Sequence, residues 1–143
     1  MDPYLYIDFD GVLHPNFIQK GQAFHLMPLL EEALEGYDVC LVISSSWRFH
    51  ETPAYLSNLF PASLKPLLVG TTGPAHIGRW ARWQEITYHA QRWGAKNWRA
   101  LDDAGMEFPP QCPNLILCDG KIGIQHAQVQ DLRAWLGDGQ QSL

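Results

Sequence analysis

The stretch Tyr4-Leu5-Tyr6-Ile7-Asp8-Phe9-Asp10-Gly11-Val12-Leu13 limits what this chain can fold into more than any other: it reads as an apolar strand that stops in two carboxylates and a glycine turn. Side chains alternate along a strand, so Asp8 and Asp10 are expected on one side and Phe9 on the other. Acids this close repel, and an unpaired buried ion is costly, so the pair makes sense when a cation or a transferable proton sits between them. Taken alone, the stretch also fits a solvated turn.

The rest of the chain supplies alternating strands and helices. After a turn-rich flap from His14 to His25, Pro28 opens a helix with Leu29, Leu30, Ala33 and Leu34 on its apolar stripe, and Gly36 ends it. Val39 to Ile43 is a continuous apolar run of the kind covered on both faces of a sheet, ending in Ser44-Ser45-Ser46. Trp47 to Leu59 reads as a helix interrupted by Pro53, and Leu67 to Val69 as a third strand. Ile77 to Trp93 has helical spacing, with Ile77, Trp80, Trp83, Ile86 or Thr87, Ala90 and Trp93 on one face. The tryptophans are expected in the core, and Arg79, Arg82, Glu85, His89 and Arg92 fit a solvated charged face. Trp98 to Leu101 is a strand running into Asp102-Asp103. Asn114 to Cys118 and Ile122 to Ile124 flank Asp119-Gly120, which suits a hairpin turn or a tight loop after a strand. Val129 to Leu136 is a closing helix, and residues 137–143 a frayed tail. With 143 residues and 46% hydrophobic content, this predicts a single α/β domain over residues 1–143, with a mostly parallel central sheet and helices on both faces.

In such a sheet, ligands gather at the carboxyl ends of the strands where the strand order reverses. Three predicted strands end in polar groups, Asp8 with Asp10, Ser44 with Ser45, and Asp102 with Asp103, so one crevice can collect four carboxylates and two hydroxyls. Oxygen donors at that density suit a hard cation. Mg²⁺ fits best, because it is held by one or two carboxylates together with phosphate and water.

Composition narrows the alternatives. A formal charge of -5 argues against a surface that coats nucleic acid generally, while leaving room for a local basic patch. Cys40, Cys112 and Cys118 have no metal-site spacing and are expected as buried free thiols. No apolar run approaches a membrane span and nothing resembles a signal peptide, so a cytoplasmic protein without a membrane partner is expected. The sequence leaves the oligomeric state open.

These residues resemble the haloacid dehalogenase (HAD) superfamily, whose pattern is Asp-x-Asp-Gly-Thr/Val, then Ser or Thr after strand two, then Lys or Arg, then an acidic pair. Asp8-Phe9-Asp10-Gly11-Val12 matches the first motif, Ser44-Ser45-Ser46-Trp47 looks like the second and Leu101-Asp102-Asp103 like the fourth. More narrowly, Ser-Ser-Trp-Arg followed by Arg-x-x-Glu-Ile and Leu-Asp-Asp resembles small HAD domains of phage and bacteria, some related to nucleic-acid repair proteins. No lysine stands at the third motif; Arg82 is the candidate there and Arg79 the alternative.

The resemblance implies a three-layer Rossmann-like fold and an Mg²⁺-dependent phosphohydrolase. Asp8 would be the nucleophile that forms an aspartyl-phosphate, and Asp10 the general acid and base. Ser45, or Ser44 in the other register, would donate to a phosphoryl oxygen, and Arg82 would offset charge. Asp8, the Asp10 carbonyl and Asp102 would hold the metal, with Asp103 as a further ligand or an orienting group. Asp10 to Val39 and Ser46 to Ile77 hold too little chain for a cap domain. An open crevice favours a bulky phosphoester as partner, such as a nucleotide or a nucleic-acid end. A phosphorelay receiver has its acidic pair and phosphoacceptor in the opposite order. A non-catalytic binding module, or a phosphotransferase with an acceptor other than water, remains as an alternative. His14, four positions after Asp10, is placed to touch a leaving group, but an exposed loop histidine is the expectation.

Overall fold

Chain order and spatial order differ in this molecule, and the difference makes the site. The computed structural model describes residues 2–19 and 21–141. Five strands, β1 (Tyr4–Ile7), β2 (Cys40–Ile43), β3 (Leu68–Thr71), β4 (Trp98–Asp102) and β5 (Leu115–Leu117), form one parallel sheet in the order β3-β2-β1-β4-β5. Four α-helices accompany them among the described residues: α1 (Met27–Leu34), α2 (Pro53–Asn58), α3 (Ala81–Trp93) and α4 (His126–Gln141). The chain starts at the centre, steps outward to β3, and returns past β1 to β4. Parallel crossovers keep one hand, so opposite directions of travel put their helices on opposite faces.

Two apolar layers follow. Leu5, Ile7, Phe9, Leu41 and Ile43 pack with Leu30 and Leu34 of α1, Leu56 of α2 and Leu132 and Leu136 of α4. On the other face Tyr6, Val42 and Ala100 meet Ile86 and Ala90 of α3. Each large aliphatic side chain buried this way contributes about 1.5–3 kcal/mol before entropy is counted. This is the expected three-layer α/β arrangement, and among the described residues no inserted cap domain is present.

Several local expectations change. The segment 47–59 is not one helix: a 3₁₀ turn (Ser46–Phe49) is followed by α2, whose first residue is Pro53 and whose N-cap Thr52 accepts from the Tyr55 amide at 3.1 Å. The proline starts a helix rather than interrupting one, because position N1 needs no N–H. Helix α3 begins at Ala81, not Ile77, since Trp80 takes a left-handed backbone with φ 54°. Ile77 is consequently 94% exposed and Trp93 60% exposed, while Trp80 and Trp83 are half-buried against each other. The core stripe of α3 is carried by Ile86 and Ala90. Residues 119–123 form a tight loop after β5, in which the Gly123 amide donates to the Asp119 carbonyl at 2.8 Å. Helix α4 continues to Gln141 where a frayed tail was expected; residues 142 and 143 lie outside the described set. The cysteines are free, but only Cys118 is buried, with Cys40 and Cys112 half-exposed.

Candidate active site

The sheet builds the site by continuing its ladder one residue past the strands. The amides of Asp8, Ser44 and Thr72 donate to the carbonyls of Leu101, Ile7 and Ile43 at 3.1, 2.9 and 3.0 Å. Tyr6 is paired with Val42 and with Ala100, and Ile43 with Thr71. Stepping along the register therefore lines up Thr72, Ser44, Asp8 and Asp102 in one row, on the α3 side of the sheet. All four are buried. The row crosses the position where the strand order turns back, between β1 and β4.

Asp8, Asp102 and Asp103 bring carboxylate oxygens within 4.8 Å of one another. Arg82, at the start of α3, lies over two of them, with Nη1 2.6 Å from Asp102 Oδ2 and 3.6 Å from Asp8 Oδ1. The Asp102 Oδ1 atom accepts from the Ala104 amide, and Asp8 Oδ1 from the Phe9 amide. Burial pushes the Asp8 carboxyl well above its ordinary value and the Asp102 charge adds to the shift, against the pull of Arg82. Asp102 is likewise raised, chiefly by burial, with Arg82 opposing. Burial opposes the Arg82 charge, but Asp102, Asp8 and Glu85 together outweigh it and hold the guanidinium pKa up. One guanidinium over a buried acid cluster leaves negative charge uncompensated, and the donors are all carboxylate oxygens. The set fits a hard divalent cation such as Mg²⁺.

Asp10 lies apart from this cluster. Strand β1 stops at Ile7, so the alternation expected to carry both acids to one side does not reach Asp10, and its carboxylate is not in the three-acid group. Its Oδ1 meets His14 Nε2 at 2.7 Å and its Oδ2 accepts from the Trp47 indole N–H at 3.0 Å. His14 is 0% exposed, not the exposed loop histidine expected. The Phe24 amide donates to His14 Nδ1 at 3.1 Å, which assigns the ring proton to Nε2 and makes that nitrogen the donor to Asp10. Phe24 and Trp47 stack around His14 and Phe9. The Asp10 side chain itself is 48% exposed. It is held in place from behind and open in front.

The two serines differ. Ser45 Oγ accepts from the Trp47 amide at 3.2 Å and caps the 3₁₀ turn, whereas Ser44 Oγ is buried without a partner among the described residues, as is Thr72 Oγ1. The two basic candidates differ as well. Arg79 is exposed and lies over the Trp80 ring, away from the acids, whereas Arg82 lies on them. The expected solvated face of α3 thus holds only for Arg79 and Arg92: Arg82 and Glu85 turn inward, and His89 is half-buried against the Tyr6 hydroxyl. Glu85 receives Arg48 Nη2 at 2.7 Å and the His76 amide at 3.0 Å, with Arg82 Nε 3.9 Å away. Arg48 in turn donates to the carbonyls of Ser44, Ser45 and Gly73. Burial lowers the Arg48 pKa, and Glu85 opposes that shift.

Close backbone approach completes the acid cluster. Gly11, with φ +79°, and Gly120 both face Asp103 and Asn16, and a Cβ at either would overlap them. Asn16 Nδ2 donates to Asp103 Oδ2 at 3.0 Å, and the Asn16 amide donates to the Gly120 carbonyl at 2.8 Å. Only glycine allows that approach.

The family model for the HAD domain in Swiss Army Knife RNA repair proteins matches residues 4–129. The chain belongs to this family. As a HAD domain it has a phosphatase-type fold and an acidic cluster at the strand ends. Neither curated proteins nor solved structures yield a match to the chain. His14, Asn16, Trp47, Arg48 and Glu85 were given no role by the sequence. Trp47, Arg48 and Glu85 lie inside the very motifs that carry the family resemblance, and that was the available signal. For His14 the signal is its spacing of four from Asp10; Asn16 gives none, because its contacts are made by a loop without period.

Proposed function

We propose that this HAD domain is an Mg²⁺-dependent phosphomonoesterase that works through an aspartyl-phosphate on Asp8. The observation carrying the proposal is the meeting of Asp8, Asp102 and Asp103 beneath Arg82 at the switch point of the sheet. Asp8, Asp102, Asp103 and the Asp10 carbonyl would hold Mg²⁺, which when bound neutralises repulsion between the incoming phosphate and its nucleophile.

An ionised Asp8 oxygen forms a bond to phosphorus as the bond to the leaving oxygen breaks. Asp10 gives that oxygen its proton, and then takes a proton from the water that attacks the aspartyl-phosphate, releasing inorganic phosphate and restoring both residues. His14 and Trp47 keep the Asp10 carboxylate oriented for both transfers. Arg82 offsets phosphoryl charge. A serine hydroxyl at the end of β2 donates to a phosphoryl oxygen: Ser45 remains the motif candidate, but its register with Asp8 and its unpartnered hydroxyl favour Ser44.

Without a cap, the crevice is open to a bulky phosphoester, and the family's association with RNA repair supports a nucleotide or polynucleotide phosphate. The test is phosphate release from an aryl phosphate and from oligonucleotides phosphorylated at the 3′ or 5′ end, with Mg²⁺ and with a chelator. Turnover that needs Mg²⁺ and vanishes in Asp8→Asn supports the proposal. An inert wild type that still binds a phosphorylated partner would replace it with the binding-module alternative.

A further inference from the structure

The outer surface of α3 has a composition that neither the core nor the catalytic row uses. Arg79, Arg92 and Lys96 lie in or beside this helix clear of the acid cluster, with Glu85 the only acid between residues 79 and 96, whereas the chain as a whole carries a formal charge of -5. That acid is already paired with Arg48. On the opposite face of the sheet, a hollow of about 550 Å³ is lined by Glu31, Glu32 and Glu35. Arg92 and Lys96 are exposed at the C-terminal end of α3.

The same side exposes aromatic rings. Tyr88 is 64% and Trp93 60% exposed, fractions unusual for side chains of this size on a helix that also packs a core. Beneath them run three adjoining hollows. One of about 400 Å³ lies between Val69 of the edge strand β3, His89 and Trp93. A second of about 320 Å³ shares His89 and Trp93 with it and adds Tyr88, Arg92 and Pro74. A third of about 360 Å³ shares Tyr88 and Pro74 with the second and ends at His76 and Glu85. Glu85 holds Arg48 and lies 3.9 Å from Arg82 Nε, so the inner end of the trough abuts the side chains that border the catalytic crevice. His89 props its floor, bonded to the Tyr6 hydroxyl at 2.7 Å and lying against Trp93.

We propose that this trough is a track for a single strand of nucleic acid whose terminal phosphate lies over Asp8. The inference rests on the phosphohydrolase proposal for where the strand ends, and deepens it by naming the substrate class. Glu85, Tyr88 with His89, and Arg92 with Trp93 succeed one another on one helical stripe. From Glu85 to Trp93 the helix rises about 12 Å, room for three or four bases stacked at about 3.4 Å. Bases stack on exposed aromatic rings whatever their identity, and cations beside the rings track the phosphates. A duplex presents no free base faces to the rings. An acidic peptide would satisfy the cations but leave the rings without partners.

The test is fluorescence anisotropy of a labelled, 5′- or 3′-phosphorylated single-stranded RNA octamer with the intact chain in chelator, so that no turnover intervenes. Wild type is expected to bind with strong salt dependence. Trp93→Ala and Tyr88→Ala should each weaken binding about tenfold, and Trp93→Phe should restore most of it. Arg92→Gln should flatten the slope of log K against log salt by about 0.7, while Glu32→Gln on the opposite face should leave binding as in wild type. Circular dichroism reports whether each variant is folded. The proposal is overturned if folded Trp93→Ala and Tyr88→Ala bind the strand as wild type does, or if a duplex or a phosphopeptide binds as well as the single strand. Turnover of an aryl phosphate by a wild type that binds no strand would remove the track and leave the hydrolase. Ring-dependent strand binding by a wild type that turns over no phosphate would remove the hydrolase and leave the track.

Discussion

Asp8 and Asp10 are two residues apart and live in opposite surroundings. Asp8 is buried in a row of polar strand ends, with two further carboxylates close by and one guanidinium above. Asp10 is half-exposed, clear of that cluster, and fastened through both oxygens to a buried histidine and an indole. The first environment stores repulsion that a cation or a phosphoryl group can relieve; the second stores little and supplies orientation. On the proposed function, one motif yields an acid suited to attack phosphorus and be released again, and another suited to hand protons to and from the reacting oxygens.

The sharpest way to break the comparison is at its centre. Asp8→Asn is expected to lower phosphate release by more than about a thousandfold, as loss of a nucleophile does. Because the amide carries no charge beside Asp102, the metal-free variant should melt no lower than wild type, which differential scanning calorimetry would check. An Asp8→Asn protein that is both inactive and markedly destabilised would mean that Asp8 is structural. Asp10→Asn should lower kcat by about a hundredfold or more through loss of proton transfer, with Mg²⁺ affinity little changed, since its carboxylate is not in the acid cluster. Isothermal titration with Mg²⁺ separates the two acids: the apparent affinity should fall in Asp8→Asn and hold in Asp10→Asn.

Arg82→Met tests the other half of the Asp8 environment. Removing the only guanidinium that bridges Asp8 and Asp102 leaves buried acids without their partner, a loss of about 3–5 kcal/mol. Urea unfolding in chelator should register it, and Mg²⁺ should restore part of the loss because the ion offsets the same charge. A variant as stable as wild type would show that the raised Asp8 and Asp102 carboxyls are already neutral without Arg82. His14→Gln should have a smaller effect, about tenfold in kcat, with KM for an aryl phosphate nearly unchanged, because Asp10 loses one of its two anchors and keeps Trp47.

Much of this was legible from spacing. Apolar runs ending in Asp8, Ser44 and Asp102 placed three strand ends together, since a parallel sheet with helical crossovers has few other solutions. What was not legible came from places where one residue overrules a period. Trp80 takes a left-handed backbone, so α3 starts four residues late and Ile77 falls outside it; Trp93, the last residue of α3, is exposed, and Arg82 and Glu85 meet each other and the site instead of solvent. Strand β1 ends one residue before Asp8, so alternation does not govern Asp10. His14 is buried by Phe24 and Trp47, contacts between loops that no sequence period encodes.

The smallest expected effect concerns pH, and it separates the two acids without any substrate. Asp8 and Asp102 are raised, chiefly by burial and, for Asp8, next by the Asp102 charge. A carboxyl raised in the folded protein keeps a proton that the unfolded chain has already released. Its contribution to stability is therefore present below the unfolded value of about 4 and is lost as pH climbs through the folded value. In chelator, wild type should lose stability relative to Asp8→Asn as pH rises above about 4, read as a widening difference in Tm. Saturating Mg²⁺ should reverse the order at the upper end, because the ion binds the ionised pair in wild type and has lost a ligand in the variant. A Tm difference that stays flat with pH in chelator would mean that Arg82 already neutralises the pair, and the contrast between a loaded Asp8 and a merely oriented Asp10 would fail on its electrostatic side.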